Sequence, residues 1–327
     1  MINLLFRKHT AIKVFDECIS KTILNNNKIT ATTKEKTSGM YESIKSSIPE
    51  GLRIKDLSFT VIEQMKAEWE TTNTFRYKRP YRPSTINRRL THIKKVLVYA
   101  FNMGYIDKVP VIKPVFAPKK GVDYFTVSDF KKICRALKKE LCEFKSGMIQ
   151  TERQLSMEKL YFSIMILALT GLRPTEFNRL RWRDYDSKKQ QLTVLPFSAN
   201  KSRTRILKVS NECAALLNSS GFRFNDNKWI SPHRRRLVDH VVATDRQNAA
   251  LVSLIKRNKL KLSTERTCIR MLRSSFCTWA ITSGMNSQLV CTYLGWSSEL
   301  QLKNYMNKQA VLDAKQNVEK IKQLKIA

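Results

Sequence analysis

The sequence predicts a mainly α fold with a small β-sheet (α+β), divided into two domains. Three observations carry this expectation. Apolar residues recur near a 3.6-residue period, at Leu57, Val61, Ile62, Met65 and Trp69 and again at Ile86, Leu90, Ile93, Leu97 and Phe101. Around residues 191–209 two short β-type runs flank a polar turn, which reads as a hairpin. Between these regions, residues 110–122 combine Pro110, Pro114 and Pro118 with Lys119, Lys120 and Gly121. Proline holds the chain open and pushes its predecessor out of the helical region, so this segment reads as an extended basic linker. The expected boundaries are a helical domain over 1–109, the linker 110–122, and a second domain over 123–327 with a helical tail from 306.

Charge narrows the partner. Lys and Arg number 60 and Asp and Glu 27, a net charge of +33 over 327 residues. Such an excess recruits polyanions, which favours nucleic acid. No membrane partner is expected, because the longest apolar stretch, Phe162 to Leu169, is far too short to span a bilayer. The apolar run at Met1 to Phe6 is too short for a signal peptide. Cys18, Cys134, Cys142, Cys213, Cys268, Cys277 and Cys291 are scattered, odd in number and free of C-x-x-C pairs. They read as reduced thiols of a cytoplasmic protein, with neither a metal site nor a disulfide framework.

In the first domain, Pro83, Ser84 and Thr85 open a helix that closes near Gly104. Its polar face holds Arg88, Arg89, Lys94 and Lys95, and residues 76–120 hold twelve basic residues against one acid, Asp107. A charged helix face is ordinarily just solvated, but this asymmetry favours a DNA-facing surface. Its candidates are Arg76, Lys78, Arg79, Arg82, Arg88, Arg89, Lys94, Lys95, Lys119 and Lys120. The second domain begins near Phe125, where Thr126 or Ser128 is placed to cap a helix through Phe130, Ile133, Leu137 and Leu141.

The chemistry-bearing clusters lie in that second domain. Thr170-Gly171-Leu172-Arg173-Pro174-Thr175-Glu176 ends an apolar helix at Gly171 and restarts another at Pro174, which holds Arg173 at a rigid junction. Glu176 lies one turn on, placed to buttress it. The hairpin carries Lys201 at or near its tip. Arg270 and Arg273 lie three apart on a helix whose core stripe is Ile269, Leu272, Phe276 and Ala280. Gly284 ends that helix, and Gly295-Trp296 closes a short successor. Ser297 and Ser298 then stand ready to cap a final helix presenting Tyr305. Each piece alone is ordinary: a tyrosine on an amphipathic helix is normally packing, and a lysine on a hairpin tip is normally solvated.

In this order and spacing, T-G-L-R-x-x-E, a hairpin lysine, x-x-L-R and L-G-W with a tyrosine nine residues later resemble the tyrosine recombinase (phage integrase) signature. The motifs cover about residues 125–310, and Ser84-Thr-Ile-Asn-Arg-Arg-Leu more loosely resembles the family's core-binding domain. The resemblance implies a C-shaped DNA clamp. It also implies a site-specific recombinase that cuts and rejoins DNA through a 3′-phosphotyrosyl link, with a homotetramer acting on two DNA sites. Bond energy is conserved in that chemistry, so no cofactor and no metal are expected. By position, Arg173 and Arg273 would clamp the scissile phosphate. Lys201 would be the general acid, Trp296 would stand at the His/Trp position, Tyr305 would be the nucleophile and Glu176 the supporting acid. Arginine forks match phosphate geometry and stay charged, which suits the two clamp positions.

One departure stands out. The family usually has histidine where this chain has Arg270, and commonly a second where it has Ser274. Arginine cannot take a proton at neutral pH, so Arg270 would act electrostatically on a phosphate oxygen. His233 and His240 read as surface histidines of a basic segment. The tail apolar residues Val311, Ala314, Val318, Ile321 and Leu324 suit either docking on a neighbouring subunit or packing on their own domain. Only about ten residues precede the first helix, so simple sites and few accessory proteins are expected. The competing readings are a type IB topoisomerase or tyrosine transposase, a weak or non-cutting DNA-binding relative, and a generic basic helical binder.

Overall fold

The structure, a computed structural model, describes residues 9–73, 78–118, 121–145, 152–196, 204–222, 225–234 and 240–314. The chain divides into two units, Met1–Lys119 and Lys120–Ala327.

The first unit is built from α1 (Ala11–Ile19), which runs into a π-helical turn at Ser20–Leu24, then α2 (Ala31–Lys45), α3 (Phe59–Thr71) and α4 (Pro83–Asn102). Their apolar stripes meet in one core around Phe15, Tyr41, Ile44, Ile62, Ile86 and Leu97. Each such side chain contributes about 1.5–3 kcal/mol by leaving water. The periodicity from Ile54 resolves into two pieces: a 3-10 turn at Ile54–Asp56, and then α3. Ser58 separates them, because it takes an extended conformation and accepts the Val61 N–H at 3.5 Å as the cap of α3. Helix α4 starts with Pro83 at its first position, and Gly104 lies beyond its end at φ +70°.

Arg89 departs from the expected DNA-facing set. It is 2% exposed, its guanidinium lying 3.9 Å from the Tyr81 ring and 4.7 Å from the Trp69 ring. It donates to the Tyr81 hydroxyl at 2.6 Å and to Ser43 Oγ. On α4 the neighbouring stripe position is apolar, so Arg89 turns inward and is satisfied by aromatic faces and hydroxyls. Lys78, Arg79, Arg82, Arg88, Lys94 and Lys95 are exposed, whereas Arg76, Lys119 and Lys120 lie outside the described residues.

Residues 110–118 have no regular secondary structure. They are nevertheless fastened to the first unit. The Asn87 side chain donates to the Val115 carbonyl and accepts its N–H, both at 2.8 Å, and Lys66 Nζ donates to the Lys113 carbonyl at 3.1 Å.

The second unit holds α5 (Val127–Lys145), α6 (Glu152–Thr170), α7 (Pro174–Phe177), β1 (Tyr185–Asp186), β2 (Gln191–Val194), β3 (Arg205–Lys208), α8 (Asn211–Asn218) and α9 (His240–Arg257). Helices α10 (Met271–Thr282), α11 (Ser287–Leu294) and α12 (Glu299–Lys303) complete it. Helix α6 packs against α5, α8, α9 and α10, which explains why its stretch from Leu160 to Thr170 is buried on nearly every side rather than along one stripe. The three strands form an antiparallel sheet in the order β1-β2-β3, with Val194 opposite Arg205 and Leu192 opposite Leu207. The hairpin is therefore present at β2 and β3, but its tip, with Lys201, lies outside the described residues. No helix of the described residues is long and apolar enough to cross a membrane.

Candidate active site

The site begins where α6 stops. Thr170 Oγ1 donates to the Ile166 carbonyl at 2.6 Å, and Gly171 follows at φ +61°, a conformation that L side chains resist. A Cβ on Gly171 would also lie 2.5 Å from the Phe276 ring, so the chain can reverse here only with glycine. Arg173 then caps α7, with Pro174 at the first position. The Glu176 carboxylate reaches back to the Arg173 N–H at 2.9 Å and accepts from the Arg173 guanidinium at 2.8 Å.

Glu176 is the hub. Besides Arg173 it binds Arg205 of β3, at 2.9 and 3.4 Å, and lies 3.7 Å from the Arg273 guanidinium. Burial favours the protonated acid, but Arg205 and Arg273 overcome it and hold the carboxyl below its usual range. One carboxylate thus serves three guanidiniums, leaving an excess of positive charge in the cluster.

Arg273 is 2% exposed. It donates to the Gly171 carbonyl at 2.8 Å and the Leu294 carbonyl at 3.4 Å, while its Nε has no partner among the described residues. Its guanidinium lies 4.7 Å from the Trp296 ring and 5.3 Å from the Tyr305 ring. Burial, with Arg173 beside it, pushes its pKa down to about 10, so it remains charged at neutral pH. For Arg173, burial works against the charge, but Glu176 and Tyr305 outweigh it and its pKa is raised.

Trp296 and Tyr305 stack with ring centroids 5.0 Å apart, and both pack on a small core that includes Cys277, Leu294 and Leu302. Helix α11 ends on Gly295 in the left-handed region, at φ +71°. A Cβ there would come within 2.9 Å of the Arg205 side chain, so this glycine lets Arg205 pass beneath the turn to reach Glu176. The final helix is shorter than the spacing implies. Helix α12 ends at Lys303, and Tyr305 sits in the turn beyond it, its N–H donated to the Leu302 carbonyl at 2.9 Å.

The structure therefore gathers Arg173, Glu176, Arg273, Trp296 and Tyr305 into one cluster. Arg270 stands at the start of α10, exposed, with no side-chain hydrogen bond or ion pair among the described residues. Ser274 is buried beside Arg273. His233 departs from the surface reading. It is 8% exposed, and burial, with Lys159 adding to it, lowers its pKa to about 4. It is a neutral interior group, and the His240 side chain lies outside the described residues. Sequence reasoning missed Arg205. Nothing in Thr204-Arg205-Ile206 singles it out, although its position four residues after Lys201 in the expected hairpin could have suggested a partner for Glu176.

Comparison with known proteins places the chain in a family. Residues 124–311, more than half of the chain, match the sequence profile described as the Phage integrase family. No curated protein matched the chain. Among solved structures, the Tn1549 transposon integrase in complex with a circular intermediate DNA is similar, with a TM-score of 0.67 at 15% identity, over 91% of this chain and 95% of that one. Lambda integrase (residues 75–356), a dimer bound to a COC′ core site, gives 0.69 at 14% identity, over 90% and 95%. A lambda integrase tetramer bound to a Holliday junction gives 0.67 at 12%, over 90% and 79%. At these identities the likeness is one of fold. The profile match identifies the class: this chain belongs to the phage integrase, or tyrosine recombinase, family.

Proposed function

We propose that this chain is a site-specific DNA recombinase that cuts and rejoins double-stranded DNA through a 3′-phosphotyrosyl intermediate formed on Tyr305. The observation that carries the reading is the placement of Tyr305 against Arg173 and Arg273, in a cluster where one carboxylate is shared by three guanidiniums.

In this scheme Arg173 and Arg273 hold the non-bridging oxygens of the scissile phosphate, and the unpartnered Arg273 Nε gains an acceptor. The Tyr305 oxygen, giving its phenolic proton to water, attacks phosphorus as the bond to the 5′-oxygen breaks, and Lys201 delivers a proton to the departing oxygen. Attack by a 5′-hydroxyl on the phosphotyrosine reverses the step and reseals a strand. Preorganised cations stabilise the charge that develops on phosphorus, and losing one such donor costs about 10²–10³ in rate. Arg270, facing solvent at the head of α10, binds the phosphate backbone rather than accepting the tyrosine proton. The exposed basic residues of the first unit grip the flanking duplex, and the working assembly is a tetramer on two sites, in the nucleoid-associated cytoplasm. No cofactor takes part.

A second reading, a relative that binds DNA without cutting it, is favoured by Arg270 and Ser274. One experiment separates the two. The wild type and Tyr305→Phe are expressed beside their native flanking DNA, denatured, and the protein-linked DNA is sequenced. Defined DNA ends with the wild type only are expected. Binding by both proteins without covalent DNA would transfer the assignment to the non-cutting relative.

A further inference from the structure

Resting on the chemistry proposed above, the geometry points to Asn307 as the positioning residue for Tyr305, which clasps the chain just beyond the tyrosine to the segment of chain that enters the second unit at Val122. Tyr305 belongs to no helix, lying between α12 and the helical residues 308–314. A five-residue helix has little rigidity of its own, so something else must hold the turn that follows it.

Asn307 supplies three bonds. Its N–H donates to Thr278 Oγ1 at 3.0 Å, its side-chain Nδ2 donates to the Val122 carbonyl at 3.0 Å, and its Oδ1 accepts the Ala310 N–H at 3.0 Å. The partners fix the amide orientation, because a carbonyl only accepts and an N–H only donates. Thr278 is buried on α10, and two neighbours on the same side of that helix, Ser275 and Trp279, hold Phe125. Ser275 Oγ accepts the Phe125 N–H at 2.8 Å, and Trp279 Nε1 donates to the Phe125 carbonyl at 3.0 Å. One face of α10, the helix that carries Arg273, thus holds both the entering chain and the chain leaving Tyr305. Among the described residues Asn307 alone bonds to both Val122 and α10. A displacement of Val122 is therefore passed to the nucleophile through one side chain.

The simpler alternative is that Asn307 only caps the turn at 308–314. Asn307→Asp separates the two roles. Aspartate caps as well as asparagine, so Oδ still accepts from Ala310, but it cannot donate to Val122 and sets a carboxylate against that carbonyl. Asn307→Ala loses both. Hydrogen–deuterium exchange of the full chain without DNA is the first arm. Amides of residues 304–312 are expected to exchange at least about tenfold faster in both variants, as a loosened hydrogen-bonded turn requires, with α6 unchanged. The second arm uses the DNA recovered by trapping. Single-turnover adduct formation by Asn307→Asp is expected to fall about 10²-fold, as a small misplacement of a reacting group does, while affinity stays within about twofold.

Wild-type behaviour of Asn307→Asp in either arm overturns the clasp. Should α6 also lose protection, so that Asn307→Asp no longer folds, Thr278→Val and Thr278→Ser are compared instead. Only the serine variant keeps the acceptor for the Asn307 N–H, so wild-type exchange in Thr278→Val likewise overturns the proposal. A wild type that forms no adduct removes the functional reading, and the exchange arm then decides the clasp by itself.

Discussion

At the scale of the residue, two glycines decide whether the cationic cluster can exist. Gly171 and Gly295 both adopt positive φ, and at both a Cβ meets a side chain packed at or beside the site. At Gly171 the obstacle is the partly buried Phe276 ring at 2.5 Å, packed against a small apolar cluster, and at Gly295 it is the aliphatic stem of Arg205 at 2.9 Å. A left-handed conformation costs an L residue roughly 1–2 kcal/mol before any clash. Gly171→Ala is expected to lower stability by more than that. Gly295→Ala should lie near that range and instead displace Arg205 from Glu176. Denaturant titration measures the first effect, and a drop in covalent-adduct rate without a matching loss of DNA affinity measures the second. These glycines were legible in the sequence as helix stops, but their close approach to Phe276 and Arg205 was not. It depends on residues 105 and 90 positions away in the chain.

At the scale of the element, most helix ends follow from local chemistry. Ser58, Pro83 and Gly104 bound α3 and α4, and Thr126 opens α5 by accepting the Asp129 N–H at 3.1 Å while Asp129 accepts the Thr126 N–H at 3.3 Å. Helix α12 is the instructive exception. The expected final helix presents Tyr305, yet the helix stops at Lys303, and four residues on Asn307 bonds to Val122 and Thr278. The segment at 110–118 is similar in kind. Its prolines announce an extended course, but only the tertiary pairing of Asn87 with Val115 fastens it to the first unit. Asn87→Ala is expected to speed proteolysis around the exposed Phe116 while leaving the helices of that unit protected, a contrast that limited digestion with mass spectrometry would read.

At the scale of the whole molecule, stability should weaken on acidification in two stages. His233 has its folded-state pKa lowered from 6.5 to about 4, so the fold favours the neutral ring. Its contribution is complete above pH 6.5 and is lost as pH falls from there towards about 4. That loss is on the order of 3 kcal/mol at about 1.36 kcal/mol per pKa unit. Glu176, Glu140 and Asp129 are also held below their ordinary values: burial opposes ionisation, and arginines or hydrogen-bond donors outweigh it. Their contributions are lost only at lower pH, below the ordinary carboxylate range. His233→Asn is expected to flatten the first stage and leave the second, as chemical denaturation between pH 7 and 3 would reveal. An unchanged first stage would mean that the ring does not titrate in this way.

The sequence by itself determined the mainly helical fold with one hairpin, the basic character, and the choice of Arg173, Glu176, Arg273, Trp296 and Tyr305 as candidates. These are written in local periodicity, in turn-forming residues and in ordered motifs. Only the tertiary structure decided where Arg89, His233, Arg205 and Asn307 sit and what they bond. An arginine in a polar stripe looks the same whether it faces solvent or lies between Trp69 and Tyr81, and a strand arginine carries no mark of a distant carboxylate. Burial and long-range pairing are properties of the surroundings that other segments build around a side chain, and no window of local sequence contains them.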